Sequence, residues 1–139
     1  MSRVFHVSSL ALMATLFLTA QPAVAETPNE IQAALKQEAA GASGFQGFSA
    51  ARGEDFFKAK HGGEWSCASC HSGNPAAPGK HARTGKAIGP LAPSANAERF
   101  SNPKKVAKWF KRNCSDVLNR VCTPQEKGDV LAYLLTVKK

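Results

Sequence analysis

Apolar residues recur every three or four positions in four stretches of the chain, which is the spacing of one face of an α-helix. These stretches are residues 28–40, 49–60, 103–113 and 124–139. The first carries Ile31 and Leu35 on one side, and the last carries Leu131 and Leu135. No stretch shows a convincing alternation of polar and apolar residues of the kind typical of a strand. The pattern therefore predicts an all-α protein.

Capping residues indicate where two of these helices begin. Asn102 and Pro103 suit the N-cap and first turn of the third helix. Thr123 and Glu126 form a capping box for the last helix. Between the second and third helices, residues 72–99 form a long connection that contains four prolines. A connection of this length in a small domain is usually wrapped around something.

The first 25 residues have the pattern of a secretory signal peptide. Arg3 precedes an apolar run that includes Leu16 and Leu18, and Ala23-Val24-Ala25 follows as a small-x-small cleavage signal. We therefore expect export to the periplasm, with cleavage after Ala25.

Removal of such a leader would leave one small domain, residues 26–139. Its first part, residues 26–48, is expected to be an N-terminal extension with a short helix. No segment after the leader is apolar enough to suggest a membrane span.

The charge of the chain is strongly basic. It has 18 Lys and Arg residues against 10 Asp and Glu residues, a formal net charge of +8. Such a surface suits nucleic acid, anionic lipid or an acidic protein. Because an exported protein rarely meets nucleic acid, we expect an acidic protein partner and no nucleic acid. A merely solvated basic surface is the alternative.

The sequence Cys67-Ala68-Ser69-Cys70-His71 carries the main chemical signal. Two thiols three residues apart can form thioethers with the vinyl groups of a haem, and His71 then becomes the proximal iron ligand. Two other readings are a redox dithiol and a zinc site completed by Cys114 and Cys122. The dithiol reading would need a thioredoxin-like βαβ context, and the zinc reading leaves His71 unexplained. The motif therefore predicts one covalently bound haem c.

The second axial ligand cannot be methionine in the exported domain. The chain has two methionines, Met1 and Met13, and both lie in the predicted leader. His61 sits in a glycine-bounded loop and is expected at the surface. His81 lies in a basic part of the long connection and could reach an iron, although an exposed position is commoner for such a residue.

Asn113 is another candidate for that position. It continues the apolar stripe of Val106, Trp109 and Phe110 at helical spacing, so it should point toward the haem and core. An asparagine near the end of a helix is also a favoured C-cap. Spacing alone favours the cap over the iron ligand.

Cys114 directly follows Asn113 and can pair with Cys122. In an exported protein whose other two cysteines bind haem, one disulfide is the simplest assignment. Such a short loop contributes roughly 2–3 kcal/mol of stability in the chain-entropy estimate. The disulfide would also hold the backbone beside Asn113.

Several motifs together resemble the sphaeroides haem protein (SHP) family and its relative cytochrome c″. They are Arg83-Thr84-Gly85-Lys86-Ala87-Ile88-Gly89-Pro90-Leu91-Ala92-Pro93-Ser94, Arg99-Phe100, Lys108-Trp109-Phe110, Arg112-Asn113-Cys114 and Cys122-Thr123-Pro124-Gln125-Glu126-Lys127. The resemblance covers most of the chain from about residue 51 onward. It implies a cytochrome c-like domain with one haem, one disulfide and an unusual sixth ligand just before the first disulfide cysteine. That ligand is His in cytochrome c″ and Asn in SHP, so the resemblance favours Asn113 as ligand and assigns no such role to His81.

The resemblance also implies a function. A neutral amide oxygen suits ferric iron and is held poorly by ferrous iron, so Asn113 should detach on reduction and open the site to O₂, NO or CO. The resemblance also implies electron exchange with a dihaem cytochrome c and a membrane cytochrome b, and turnover of NO with bound O₂.

Two other functions remain open. One is a plain electron carrier, and the other is a haem peroxidase that would use His81 as an acid or base. Arg83 and Lys86 are candidate partners for the haem propionates.

Overall fold

The computed structural model describes residues 26–139, so the predicted leader, residues 1–25, lies outside the described part. The described chain is built from five helices and one small hairpin. The helices are α1 (Pro28–Ala40), α2 (Ala50–Lys58), α3 (Cys67–His71), α4 (Pro103–Leu118) and α5 (Pro124–Thr136), and the strands are β1 (Gly79–Lys80) and β2 (Ala87–Ile88). None of these helices is long and apolar enough to cross a membrane. The predicted all-α architecture is confirmed, apart from the hairpin.

The hairpin corrects the expectation that the chain has no strand. β1 and β2 pair antiparallel, with Gly79 opposite Ile88 and Lys80 opposite Ala87. Two residues per strand are too few to produce a readable alternation of polar and apolar positions. The rest of the long connection consists of turns and loops.

The helix starts follow from side-chain caps. Asn102 accepts the Lys105 N–H at 2.9 Å and begins α4. Thr123 and Glu126 form the predicted reciprocal capping box of α5. Ser49 begins α2, and its hydroxyl oxygen accepts the Arg52 N–H at 3.3 Å without a reciprocal bond. Each cap provides an acceptor for an N–H that has no partner within its helix.

α2 and α5 cross at a position where only glycine fits. A Cβ added to Gly53 would overlap the backbone carbonyl of Asp129. The Asp129 side chain is buried and accepts hydrogen bonds from the Ser49 N–H at 2.7 Å, Arg52 Nε at 2.8 Å and Gln125 Nε2 at 2.9 Å. This network compensates the desolvation of the carboxylate and fixes α2 against α5.

The hydrophobic core lies along α5. One cluster joins Phe57 of α2 to Val130, Tyr133 and Leu134. A second cluster joins α1 to α5 through Ile31, Leu35 and Leu131. The predicted N-terminal extension therefore contributes to the core through α1.

α4 is held differently from α5. Cys114 is its one fully buried residue, while Val106 and Phe110 are partly buried and pack against the two core clusters. The helix continues to Leu118 and ends at Asn119, whose positive φ of 55° is typical of a left-handed C-cap. Asn113 is thus an interior residue of α4, and the C-cap reading of Asn113 is wrong.

Candidate haem site

α3 is a single helical turn that presents the two cysteines together. Its N-cap is Ser66, which is buried and exchanges hydrogen bonds with Ser69: Ser66 N–H to Ser69 Oγ at 2.9 Å, and Ser69 N–H to Ser66 Oγ at 3.2 Å. Residues three apart lie on the same side of a helix. The turn therefore places Cys67 and Cys70 side by side, with His71 directly after them.

Burial of the Cys67 thiol changes its acidity. Neither Cys67 nor Cys70 forms a disulfide with another cysteine of the described chain. Burial, with a smaller contribution from Cys70, raises the pKa of the Cys67 thiol to about 11. The burial of Cys67 therefore disfavours its thiolate form.

His71 is kept neutral and lacks a polar partner. Burial is the main reason that its pKa falls to about 4, and the positive charge of Arg99 lowers it further. Its Nδ1 atom is buried without a hydrogen-bond partner. Most buried polar atoms are satisfied, so this ring fits a side chain that binds something other than the polypeptide. The neutral imidazole is the form that can donate a nitrogen lone pair to iron.

The hairpin lies directly against this motif. A Cβ on Gly79 would overlap the Cys70 carbonyl oxygen and lie 3.0 Å from the His71 Cα. The Ala82 N–H points at the Cys70 sulfur, with a nitrogen-to-sulfur distance of 3.3 Å. The approach of β1 to α3 therefore depends on the missing side chain at Gly79.

The rest of the long connection is tied back to itself beside α3. Arg99 donates to two carbonyl oxygens, from Nε to Pro90 at 2.9 Å and from Nη2 to Gly89 at 2.9 Å. The carbonyl oxygen of the buried Pro75 accepts the Ala92 N–H at 2.9 Å. These bonds hold the connection in one path and place the Arg99 charge near His71.

The other histidines are engaged in their own turns. His61 is exposed, as predicted, and its Nε2 lies 2.8 Å from the Phe56 carbonyl oxygen. His81 is half-buried, and its Nδ1 accepts the N–H groups of Arg83 and Thr84 at 3.3 and 3.4 Å. The Nδ1 atom of His81 is therefore engaged by the backbone of its own turn.

The two candidate propionate partners have different surroundings. The Arg83 guanidinium stacks on the Trp65 ring, 5.0 Å from its centroid. Lys86 is exposed at the end of the turn that precedes β2. The structure gives no contact that selects either residue for this role.

Asn113 lies within α4, directly before the disulfide cysteine Cys114. Its side chain is half-buried, and its amide forms no hydrogen bond with another group in residues 26–139. One turn earlier, Trp109 remains 48% exposed, although the apolar stripe predicted that it would face the core. Cys114, the next residue after Asn113, forms a disulfide with Cys122 across a Cα–Cα distance of 5.6 Å.

The zinc reading of the cysteines is wrong. Residues 26–139 contain no group of three or more His, Cys, Asp or Glu side chains placed to hold a metal ion. Cys114 and Cys122 are joined to each other. The dithiol reading also lacks its structural context, because the one sheet described between residues 26 and 139 is an antiparallel hairpin.

Comparison with known proteins identifies the family. The chain matches the family model described as a domain of unknown function (DUF1924) over residues 43–134. It also superposes on oxidised cytochrome c″ from Methylophilus methylotrophus with a TM-score of 0.70 and 38% identity, covering 81% of this chain and 95% of that one. The chain belongs to the SHP and cytochrome c″ family of c-type cytochromes.

Further relatives agree with this assignment. Oxidised SHP, described as an oxygen-binding cytochrome c, superposes with a TM-score of 0.69 and 38% identity, covering 78% of this chain and 95% of that one. Cytochrome c″ of M. methylotrophus is 49% identical over 83 residues, or 60% of this chain and 58% of that protein. SHP of Cereibacter sphaeroides is 51% identical over 69 residues, or 50% and 53%. These sequence matches thus span less than two thirds of either curated relative.

The cofactor of this SHP and cytochrome c″ family is a covalently bound haem c. The residues present fit that group, because adjacent thiols and a neutral histidine with an unpartnered nitrogen occur together in α3. Reading the sequence missed Gly79, whose role depends on a tertiary contact. No local signal in the sequence distinguishes it from the other glycines, and in the structure its φ is not among the positive values.

Proposed function

We propose that the chain is a periplasmic monohaem c-type cytochrome whose sixth iron ligand, Asn113, detaches on reduction. Electron transfer would then be coupled to binding of O₂ or NO. The observation that carries this proposal is the position of Asn113 in the middle of α4. It is half-buried, has no hydrogen-bond partner in residues 26–139, and precedes a disulfide cysteine.

The proximal side is assigned to α3. Cys67 and Cys70 would form the thioethers, and the neutral His71 would be the proximal ligand. The haem supplies the redox chemistry and the position at which a diatomic gas binds. The protein contributes by holding His71 neutral, and β1 contributes by closing against Cys70 at Gly79.

The distal side is assigned to the Asn113 amide oxygen. This oxygen is a hard, neutral donor that suits ferric iron better than ferrous iron, so the amide would leave on reduction. Two relatives support this idea: SHP is described as oxygen-binding, and a solution structure of M. methylotrophus cytochrome c″ concerns haem-ligand detachment. That cytochrome c″ structure has a TM-score of 0.68 to this chain.

Substitution of Asn113 tests the assignment. Asn113→Ala should retain covalent haem and change the ferric optical and electron paramagnetic resonance spectra, because the amide is lost. Asn113→His should give a six-coordinate, low-spin ferric form, because imidazole is a stronger donor. Asn119→Gly is a suitable control, since glycine serves at the C-cap of α4. If the ferric spectrum of Asn113→Ala equals that of the parent, Asn113 is not the ligand.

A plain electron carrier is the alternative function. Both functions require a haem, but they differ after reduction. We expect a high-spin ferrous spectrum that changes on addition of NO, because the released amide leaves a coordination position. A ferrous spectrum that NO does not change would favour the plain carrier.

The proposed partners are redox proteins, a dihaem cytochrome c and a membrane cytochrome b. The outer side of α4 supports an acidic partner surface. It carries five exposed bases, none of which forms an ion pair with a residue between 26 and 139: Lys104, Lys105, Lys108, Lys111 and Arg112. A concentrated positive face attracts an acidic partner and speeds encounter.

Export and haem attachment can be tested together. The mass of the protein purified from a host with haem-maturation machinery should correspond to residues 26–139 plus one haem. The haem should also stay with the protein during acid-acetone extraction. Haem that extracts would contradict thioether attachment at Cys67 and Cys70, and an intact N-terminus would contradict cleavage after Ala25.

A further inference from the structure

A short loop ties Asn113 to the start of α5. This disulfide loop, residues 119–123, begins where the Asn119 N–H caps α4 by donating to the Ser115 carbonyl at 3.1 Å. It contains Cys122, the disulfide partner of Cys114. Any displacement of the loop is therefore transmitted through one covalent link to the residue beside Asn113.

An ion pair closes this loop. Arg120 donates two hydrogen bonds to the Glu126 carboxylate, from Nη1 to Oε2 at 2.8 Å and from Nη2 to Oε1 at 2.6 Å. Arg120 Nη1 also donates to the Val121 carbonyl at 2.9 Å, and Glu126 Oε2 accepts the Thr123 N–H at 2.8 Å. The Glu126 side chain is only 20% exposed, and its pKa is lowered, chiefly by the hydrogen bond from Arg120.

α4 has few other firm attachments near Asn113. Val106 and Phe110 are only partly buried, and Cys114 is the residue of this helix that is buried fully. Cys114, with its disulfide, is therefore the most deeply buried attachment of the C-terminal half of α4, in which Val117 and Leu118 are only partly buried. A two-pronged Arg–carboxylate pair restricts geometry more than a single hydrogen bond does.

We propose that the Arg120–Glu126 pair positions Asn113 through the Cys122–Cys114 disulfide and so sets how readily the amide leaves and regains the iron. Neither residue is expected to touch the haem, so both are positioning residues. The inference rests on the proposed function, because it assumes that Asn113 is the sixth ligand.

Glu126→Gln separates the ion pair from the helix cap. Glutamine at this third helical position also completes a capping box with Thr123, so α5 should still begin correctly. The charge that holds Arg120 is lost. Glu38→Gln is the matched control, since it removes the 3.1 Å Lys127–Glu38 pair, which joins α5 to α1 away from the disulfide loop.

The first measurement does not depend on haem chemistry. In the ferric holoprotein, Glu126→Gln should accelerate amide hydrogen exchange at residues 113–118 and reduction of the disulfide by dithiothreitol, each several-fold. Glu38→Gln should leave both rates unchanged. Equal rates in Glu126→Gln and the parent would overturn the proposal.

The second measurement is spectroscopic. Glu126→Gln should increase the high-spin share of the ferric spectrum and slow the return of the low-spin form after reoxidation. Arg120→Gln should change the ferric spectrum and the return of the low-spin form in the same way. The effects in the double variant should be no larger than in either single variant, because both substitutions remove the same interaction. Faster exchange with an unaltered ferric spectrum would also overturn the proposal, since the pair would then hold only the loop.

The two proposals can fail separately. If Asn113→Ala leaves the ferric spectrum unchanged, the ligand assignment has failed. If Asn113→Ala changes that spectrum while Glu126→Gln changes neither the exchange and reduction rates nor the ferric spectrum, the ligand assignment holds and the positioning role is overturned.

Discussion

At the scale of single residues, the packing beside the haem-binding motif requires that residue 79 has no side chain. Gly79 lies where β1 meets α3, and a side chain there would overlap the Cys70 carbonyl. The obstructing atom belongs to the backbone, which cannot swing aside as a flexible side chain can. Because Cys70 and His71 are neighbours, any backbone shift at Cys70 also moves His71, the proposed proximal ligand.

Gly79→Ala should therefore destabilise the protein and disturb the haem. Overpacking of this kind typically costs about 1–3 kcal/mol, measurable by denaturant unfolding, and the ferric spectrum should change as well. Gly89→Ala is the matched control, since its nearest atoms would lie at 3.9 and 4.0 Å. Equal loss of stability in the two variants would show that the hairpin yields freely at Gly79.

At the scale of elements, the sequence predicts where α4 begins but not where it ends. Asn102 and Pro103 predict the start because capping is a local interaction. The end at Leu118 is set by the left-handed Asn119, with Cys114 held by its disulfide. The apolar stripe predicts helix only as far as residue 113. It therefore makes Asn113 resemble the C-cap of α4.

Other elements also show that local features can be predicted from the sequence, whereas features that depend on tertiary contacts cannot. The Cys67–His71 turn is visible in sequence because its chemistry requires a fixed local spacing. The hairpin is invisible because its two-residue strands are held by contact with α3. The unpartnered amide of Asn113 is also a tertiary property, which neither composition nor periodicity encodes.

Replacing Cys114 and Cys122 with Ser should affect both stability and the ligand. The loop-entropy estimate for so short a loop gives a loss of roughly 2–3 kcal/mol in unfolding free energy. The ferric spectrum should also shift, because Asn113 loses the link to the disulfide loop. Unfolding curves and ferric spectra of the double variant check both effects. A spectrum equal to that of the parent would show that Asn113 is held by α4 alone.

At the scale of the whole molecule, positive charge is distributed unevenly. Four acidic residues are engaged in the ion pairs described between residues 26 and 139: Glu38, Glu54, Glu126 and Asp129. The outer side of α4, by contrast, presents bases with a single acid, Asp116, in the same helix. Trp109 lies at the edge of that face, and Arg112 lies over its ring at 5.6 Å.

Neutralising this face should slow electron transfer from an acidic donor. The triple variant Lys104→Gln, Lys108→Gln, Lys111→Gln should react with a reduced acidic flavodoxin several-fold more slowly than the parent at low salt. The difference should shrink as ionic strength rises. The control variant is Lys36→Gln, Lys60→Gln, Lys138→Gln, which removes the same charge elsewhere. Equal slowing in both variants would indicate net charge alone, without a docking face.

The buried Cys67 thiol has a consequence for how the molecule is assembled. Because burial raises its pKa to about 11, the folded polypeptide presents a poorly reactive sulfur at neutral pH. We therefore expect a thioether at Cys67 to form while the chain is still open, before α3 is covered by its neighbours. On this view, bond formation at the cysteines precedes closure of the fold.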